Sequence, residues 1–306
     1  MKVFLTGATG FIGSAVVPEL IKAGHQVFGL TRSDAGAKSL LAAGAQAHRG
    51  DLDNLESLRT GAANSDAVIH SAFNHDFSKF KENCEIDRRV IETLGSALEG
   101  SGRPFIVTSG TGIVASPGRP STEEDEPVPS SVIPRGASEE AAAAAAQRGV
   151  KVSVVRLPQV HDRLKQGLIT FAIAMARSKG VSAYVGDGQN RWPAAHRLDA
   201  ARLYKLVLEK GITGAKYHAV AEEGIPFRQI AEAIGRGLKI PTVSLTAEQA
   251  TGHFGWLAHF VAADLASSSA LTRQRLGWQP KEISLMDDLD HARDFEPQPT
   301  AYAQTR

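Results

Sequence analysis

A chain of 306 residues with 42% apolar and 22% charged residues can bury a large core, and its length suits two lobes better than two independent domains. A formal net charge of +1 supplies no field to hold nucleic acid or a membrane surface, and no run of eighteen uninterrupted apolar residues occurs, so the expectation excludes both partners. The single cysteine, Cys84, rules out an intrachain disulfide; with no secretory pattern ahead of the first strand, the expected compartment is the cytoplasm.

Residues 2–5 read as a buried parallel strand and residues 12–23 as the helix that follows it. Thr6-Gly7-Ala8-Thr9-Gly10-Phe11-Ile12-Gly13 therefore falls where strand becomes helix. In that context the three glycines differ in purpose. Gly7 permits the tight turn, Gly10 lets a pyrophosphate approach the backbone, and Gly13 lets the helix pack on the sheet. The helix N-terminus adds free amides and a positive dipole end, so a dinucleotide is the expected cofactor.

The alternation continues with strands at 26–31, 46–49, 67–70 and 104–108 and helices at 35–43, 55–63 and 80–99. This rhythm predicts an α/β fold with a doubly wound parallel (Rossmann) sheet. Residues 116–134, rich in Pro, Ser and acids, read as a surface loop; a helix at 139–147 and a strand at 150–157 follow. Beyond Pro158 the pattern loosens. Helices are expected at 167–178, 199–210, 227–235 and 247–253, turns at 222–226 and at Ile240-Pro241, and a frayed tail at 296–306. The expected division is a dinucleotide-binding domain over 1–157 and a smaller substrate lobe over 158–306, with a stretch near 187–210 returning to the first domain.

Choice between nicotinamides falls at the end of the second strand, Leu30-Thr31-Arg32-Ser33-Asp34. Arg32 with the Thr31 and Ser33 hydroxyls suits a 2′-phosphate and favours NADP, whereas a ribose contact from Asp34 would give NAD as the alternative. No metal-binding spacing is convincing, because His70 and His75 lack a third ligand, and Cys84 reads as a half-buried structural thiol.

Five ordered motifs make the chain resemble the extended short-chain dehydrogenase/reductase family, of the NAD-dependent epimerase/dehydratase type. The glycine turn comes first. Gly50-Asp51-Leu52-Asp53 looks like the segment whose acid and following amide, here Asp51 and Leu52, hold the adenine. His70-Ser71-Ala72, followed by Phe73, looks like the turn along the cofactor, and Arg156-Leu157-Pro158-Gln159-Val160 resembles the strand end near the nicotinamide. His196-Arg197-Leu198-Asp199-Ala200-Ala201 is similar to a later family segment.

The resemblance implies catalysis by a tyrosine and a lysine four residues later, and here the sequence departs from it. Arg135 stands in the tyrosine position and Glu139 in the lysine position; the first tyrosine is Tyr184, and no lysine lies between Lys81 and Lys151. An atypical branch is implied. Ser109 or Thr111 is left to hydrogen-bond a substrate carbonyl, while Arg135 would steady a developing alkoxide or clamp a substrate carboxylate or phosphate. A purely structural Arg135–Glu139 ion pair one helical turn apart is the plainer expectation for that arginine. Among the histidines, His161 is expected to point toward the cleft as a candidate proton donor, His196 to precede a helix cap at Asp199, and His70 to pack against the cofactor.

The expected pocket lies between Phe73, the 109–113 turn and Val160, with Trp192, Phe254 and Trp256 as candidate walls. The leading expectation is an NADP-dependent oxidoreductase passing hydride to or from a small or medium carbonyl compound or activated alkene. A non-catalytic NADP-binding sensor is the alternative. A nucleotide-sugar epimerase or dehydratase is disfavoured because both need the missing proton-transfer pair. Small-molecule substrates are the expected partners, and a homo-oligomer stays open.

Overall fold

In chain order the first half of the protein alternates strand and helix: β1 (Lys2–Thr6), α1 (Gly13–Lys22), β2 (Gln26–Thr31), α2 (Asp34–Ala42), β3 (Gln46–Arg49), α3 (Leu55–Ala63), β4 (Ala67–His70), α4 (Phe80–Ser96), β5 (Pro104–Gly110), α5 (Ala137–Gln147) and β6 (Lys151–Leu157). The second half runs β7 (Gln159–His161), α6 (Ile169–Lys179), β8 (Ser182–Val185), β9 (Arg191–His196), α7 (Arg197–Lys210), β10 (Lys216–His218), β11 (Glu222–Pro226), α8 (Phe227–Leu238), β12 (Thr242–Leu245), α9 (Ala247–Phe254), α10 (Ala258–Ala262), α11 (Ala270–Leu276) and α12 (Leu285–Asp290). The computed structural model describes residues 1–114, 118–292 and 295; the expected tail at 296–306 and residues 116–117 of the expected loop lie outside the described residues. Among the described residues no helix is long and apolar enough to cross a membrane.

Seven strands form one parallel sheet in the order β10-β6-β5-β4-β1-β2-β3, the doubly wound arrangement the sequence predicts. Its central strands are buried on both faces, and this is why Val3-Phe4-Leu5, Val68-Ile69 and Phe105-Ile106-Val107 read as unbroken apolar runs. Val3, Leu5, Ile69 and Ile106 pack against α1 and α7. Phe4, Val68, Phe105 and Val107 pack against α3, α4 and α5. The alanines of α5 allow close approach to α4: a Cβ added at Gly95 would lie 3.0 Å from Cβ of Ala145.

Pro158 separates β6 from β7. Lacking an amide hydrogen, it cannot extend the ladder, and the chain leaves the main sheet to pair β7 with β9 in a three-stranded sheet ordered β11-β9-β7. A separate apolar cluster, with Ile173, Trp192, Phe227, Ile234, Phe254 and Leu289 at its centre, fills the second lobe.

Two expectations are corrected. Glu222–Pro226 is not a turn but a strand, antiparallel to β9; its Glu-Glu-Gly-Ile-Pro composition reads as a turn, and cross-strand pairing overrides it. The fourth helix stops at Ser96 rather than at residue 99, ahead of Gly100, which takes φ +66°.

Candidate functional site

The expected cofactor residues sit at or just past the carboxyl ends of the parallel strands, where open sheets of this kind bind ligands. Gly7, Thr9, Gly10, Phe11, Ile12 and Gly13 follow or open the helix after β1, Thr31-Arg32-Ser33 close β2, and Asp51 and Leu52 follow β3. Ser71, Ala72 and Phe73 follow β4, Ser109 and Thr111 lie at the end of β5, and Pro158 and Val160 follow β6.

Steric detail separates the three glycines. Gly7 has φ +72°, and an added Cβ would lie 2.8 Å from the Ala72 amide, so this turn presses on the one after β4. Thr6 staples the two together: its Oγ1 accepts from the Ser71 amide at 3.2 Å and the Ala72 amide at 3.3 Å, while Ser71 Oγ donates to its carbonyl at 2.8 Å. A Cβ on Gly13 would sit 2.0 Å from the Gly7 carbonyl oxygen, which is impossible without moving the turn. On Gly10 it would meet only that oxygen, at 3.1 Å, leaving its other side open. Neither the Phe11 nor the Ile12 amide has a hydrogen-bond partner among the described residues. An open backbone face with unpaired amides at a helix start fits a pyrophosphate.

At the end of β2, Arg32 is exposed and makes no ion pair among the described residues. Ser33 caps α2, accepting from the Gly36 amide at 3.0 Å. Asp34, the alternative ribose ligand, is already paired with Arg49 at 2.7 Å. Asp51 Oδ1 accepts from the Asp53 and Asn54 amides at 3.1 and 2.9 Å, which fixes the loop that carries it.

Beside the carboxyl ends of β4 and β5, a buried polar cluster is organised by a residue the sequence reading missed. Asp87, fully buried on α4, accepts through Oδ1 from His70 Nε2 at 2.9 Å and through Oδ2 from Arg135 Nη1 at 2.7 Å and Ser138 Oγ at 2.5 Å. His70 Nδ1 meets the Thr6 hydroxyl at 2.7 Å. Arg135 also contacts Ser138 Oγ, donates from Nη2 to the Thr108 carbonyl at 3.1 Å, and lies 4.2 Å from the Phe73 ring centroid. Burial opposes the Asp87 charge, yet Arg135, His70 and Ser138 together hold its carboxyl well below the usual carboxylate range.

The expected Arg135–Glu139 ion pair does not form. α5 begins only at Ala137, so Arg135 belongs to the 3-10 turn Pro134–Gly136 and is not one α-helical turn from Glu139. Glu139 instead holds Arg156, both side chains buried, through Nε and Nη2 at 2.8 Å each. Arg156 Nη1 adds His218 Nε2 at 3.3 Å, and burial, with Arg156 next in effect, pulls that imidazole down to about 3. His70, expected to pack against the cofactor, is buried at 1% exposure, and both its ring nitrogens are committed to Thr6 and Asp87.

Side chains alternate along β5. Phe105 and Val107 face α4 and α5, Ile106 faces α1 and α7, and Ser109 therefore shares its face with Asp87 and Arg135. Its hydroxyl is buried and has no hydrogen-bond partner among the described residues. Thr108, on the opposite face, bonds Tyr204 at 2.6 Å, and burial pushes that phenol above its ordinary value. Thr111 is buried at the start of the turn that follows.

His161 is not directed to the open cleft. It is wholly buried, with Nδ1 2.7 Å from Asp288 Oδ2 and Nε2 3.8 Å from Glu222, an arrangement that ties β7 to α12. His196 itself caps α7, its Nδ1 accepting from the Leu198 amide at 3.2 Å. Cys84 is buried outright rather than half-buried, and burial raises its thiol to about 11. Trp192 and Phe254 belong to the core of the second lobe; Trp256, 39% exposed, instead stacks on Phe77 at 4.2 Å, in an aromatic row that reaches Phe73 through Phe80.

One signal for Asp87 was present in the sequence. Cys84, Val90, Ile91 and Leu94 make the apolar stripe of α4, and an acid within such a stripe demands a buried partner. Its partners His70, Arg135 and Ser138, from β4, the turn before α5 and the start of α5, are 17, 48 and 51 residues away.

Several known proteins share this fold or this sequence. The NAD dependent epimerase/dehydratase family matches residues 3–220. An uncharacterized protein of Schizosaccharomyces pombe is 49% identical over 290 residues, covering 94% of this chain and 98% of its own. The 4-hydroxy-2-methyl-3-oxo-4-farnesyl-3,4-dihydroquinoline-1-oxide ketoreductase of Stigmatella aurantiaca is 25% identical, covering 94% of this chain and 89% of its own. In fold, the chain is similar to the dTDP-glucose 4,6-dehydratase of Streptomyces venezuelae, solved with NAD bound, with a TM-score of 0.77, 19% identity and 96% of each chain covered.

Proposed function

The chain belongs to the NAD dependent epimerase/dehydratase family and is an extended short-chain dehydrogenase/reductase in fold, and on that premise we propose that it is an NADP-dependent oxidoreductase acting on a small or medium carbonyl compound or activated alkene without a catalytic tyrosine. The observation that carries this reading is the buried Ser109 hydroxyl, without a hydrogen-bond partner among the described residues, on the face of β5 shared with Arg135 and at the carboxyl end of that strand. An unpaired buried hydroxyl is costly to maintain, and a substrate oxygen would satisfy it.

Gly10, the Phe11 and Ile12 amides and the turn at Ser71-Ala72 would hold the dinucleotide, and Arg32 its 2′-phosphate. When bound, the nicotinamide supplies the hydride. Ser109 donates a hydrogen bond to the substrate oxygen, and Thr111 lines the same turn. Arg135 keeps Nε–H and one Nη2–H outside its bonds to Asp87, Ser138 and Thr108, and its side chain is 15% exposed. Those donors stabilise negative charge on the oxygen as it develops. A guanidinium keeps its proton at accessible pH, so the proton that completes a carbonyl reduction comes from water at the cleft mouth. The ketoreductase name of the Stigmatella relative supports the carbonyl substrate class.

The test is NADPH oxidation across a panel of ketones and enones. Turnover with at least one class is expected, falling at least tenfold in Ser109→Ala. Tight cofactor binding with no turnover on any member of the panel would replace this reading with that of a non-catalytic nucleotide-binding protein.

A further inference from the structure

We propose that Asp87 is a positioning residue that fixes Arg135 at the nicotinamide end of the cleft and cancels its charge there, so that oxidised and reduced cofactor are held with similar affinity. The inference rests on the cofactor reading above and goes beyond it by assigning a role to a group that binds neither cofactor nor substrate.

A carboxylate buried on the apolar side of a helix is strongly unfavourable unless it is paired and hydrogen-bonded. Asp87 has three partners. His70 Nε2 takes one oxygen at 2.9 Å, and Arg135 Nη1 and Ser138 Oγ take the other at 2.7 and 2.5 Å. Each partner is anchored in turn: His70 by Thr6 at 2.7 Å, Arg135 by the Thr108 carbonyl at 3.1 Å and the face of Phe73 at 4.2 Å. Thr6 also receives the Ser71 and Ala72 amides. A continuous chain of contacts thus runs from the turn after β4, through Thr6, His70 and Asp87, to the guanidinium. The geometry leaves Arg135 one orientation, with Nη1 directed inward to Asp87.

Charge gives this chain a consequence that packing alone does not. The oxidised nicotinamide ring carries a positive charge and the reduced ring carries none. A lone guanidinium at that end would repel the oxidised ring and leave the reduced ring nearly unaffected; a guanidinium paired with a buried carboxylate acts as a dipole whose field falls off faster. Removing either partner should therefore move the two cofactor affinities apart, in opposite directions.

NADP⁺ and NADPH are titrated at pH 8 against the wild-type protein, Asp87→Asn, Arg135→Gln and the double variant. In Asp87→Asn, NADP⁺ should weaken at least fivefold relative to NADPH. In Arg135→Gln the ratio should shift the other way by at least threefold, and the double variant should return to within twofold of wild type. Variants that weaken both forms equally, or leave the ratio unmoved, would reduce Asp87 to a support of the fold and overturn the proposal. If Asp87→Asn does not fold, Arg135→Gln decides alone, because it leaves Asp87 bonded to His70 and Ser138; an unchanged ratio in that variant overturns the proposal. Wild-type protein that binds neither form would overturn the functional reading together with this one, whereas binding with an unmoved ratio overturns this one only.

Discussion

Gly10 and Gly13 lie three residues apart in one turn, and a single methyl group should harm the protein in two different ways at the two positions. In Gly13→Ala the new carbon would sit 2.0 Å from the Gly7 oxygen and 2.9 Å from Cα of Ala8, so the turn must move by about an ångström to reach ordinary contact. Gly7 cannot retreat easily, because the place its own Cβ would occupy is already 2.8 Å from the Ala72 amide. Overpacking of this kind costs about 1–3 kcal/mol, and in a chain of this size each kcal/mol lowers Tm by roughly 2 °C, so a fall of about 2–6 °C is expected. Gly10→Ala meets only the Gly7 oxygen, at 3.1 Å, which a slight shift relieves, and Tm should stay within about 2 °C of wild type. Its methyl group instead enters the open side of the turn, where a pyrophosphate would lie, and NADPH affinity should fall at least tenfold, or about 1.4 kcal/mol. Thermal melts and NADPH fluorescence titrations on the two variants separate these effects. A folded Gly10→Ala protein that binds NADPH like wild type would refute the assignment of this turn to the cofactor.

Other expectations follow from the buried polar groups. Glu139→Gln should destabilise the fold by about 3–5 kcal/mol in chemical denaturation, because it leaves the buried Arg156 without its counter-charge; unchanged stability with lost turnover would give Glu139 a part in the chemistry. Tyr204→Phe removes a hydrogen bond on the face of β5 opposite Ser109 and should change turnover less than tenfold, below about 1.4 kcal/mol in the barrier; a larger loss would return a tyrosine to the mechanism. His218 is held down to about 3 in the folded state, by burial first and Arg156 second, while the unfolded chain titrates near 6.5. Its contribution is fully present above about pH 6.5 and is lost as pH falls toward 3, at about 1.4 kcal/mol per unit, so denaturation midpoints should drop below pH 6.5 and drop less in His218→Gln; identical slopes in the two proteins would remove His218 as the cause.

The first half of the fold was legible because strands covered by helices on both faces must be largely apolar, and the strands at 26–31 and 67–70 begin and end where the pattern says. The second half was not. Its strands are three to six residues long, and several, such as Arg191–His196 and Glu222–Pro226, mix charge, glycine or proline with few apolar residues; they exist because neighbours pair with them. The same division holds at the site. Backbone requirements such as the positive φ of Gly7 and the crowding at Gly13 leave a direct mark in residue choice. Ion pairing leaves a weaker one, since Arg135 and Asp87 are 48 residues apart, and Arg156 and Glu139 are 17 apart on different elements. Helical spacing alone pointed to Arg135 and Glu139 as partners, and the late start of α5 sends each to a different counter-charge.

The central claim, an oxidoreductase that uses NADP, is tested most directly by titrating the wild-type protein with NADPH and with NADH. Arg32 is exposed and carries no ion pair among the described residues, so a 2′-phosphate would meet an available guanidinium. Each unit charge at about 4 Å in water contributes about 1 kcal/mol, and the phosphate brings nearly two, so NADPH should bind at least tenfold more tightly than NADH. Equal affinities, or tighter binding of NADH, would contradict the account.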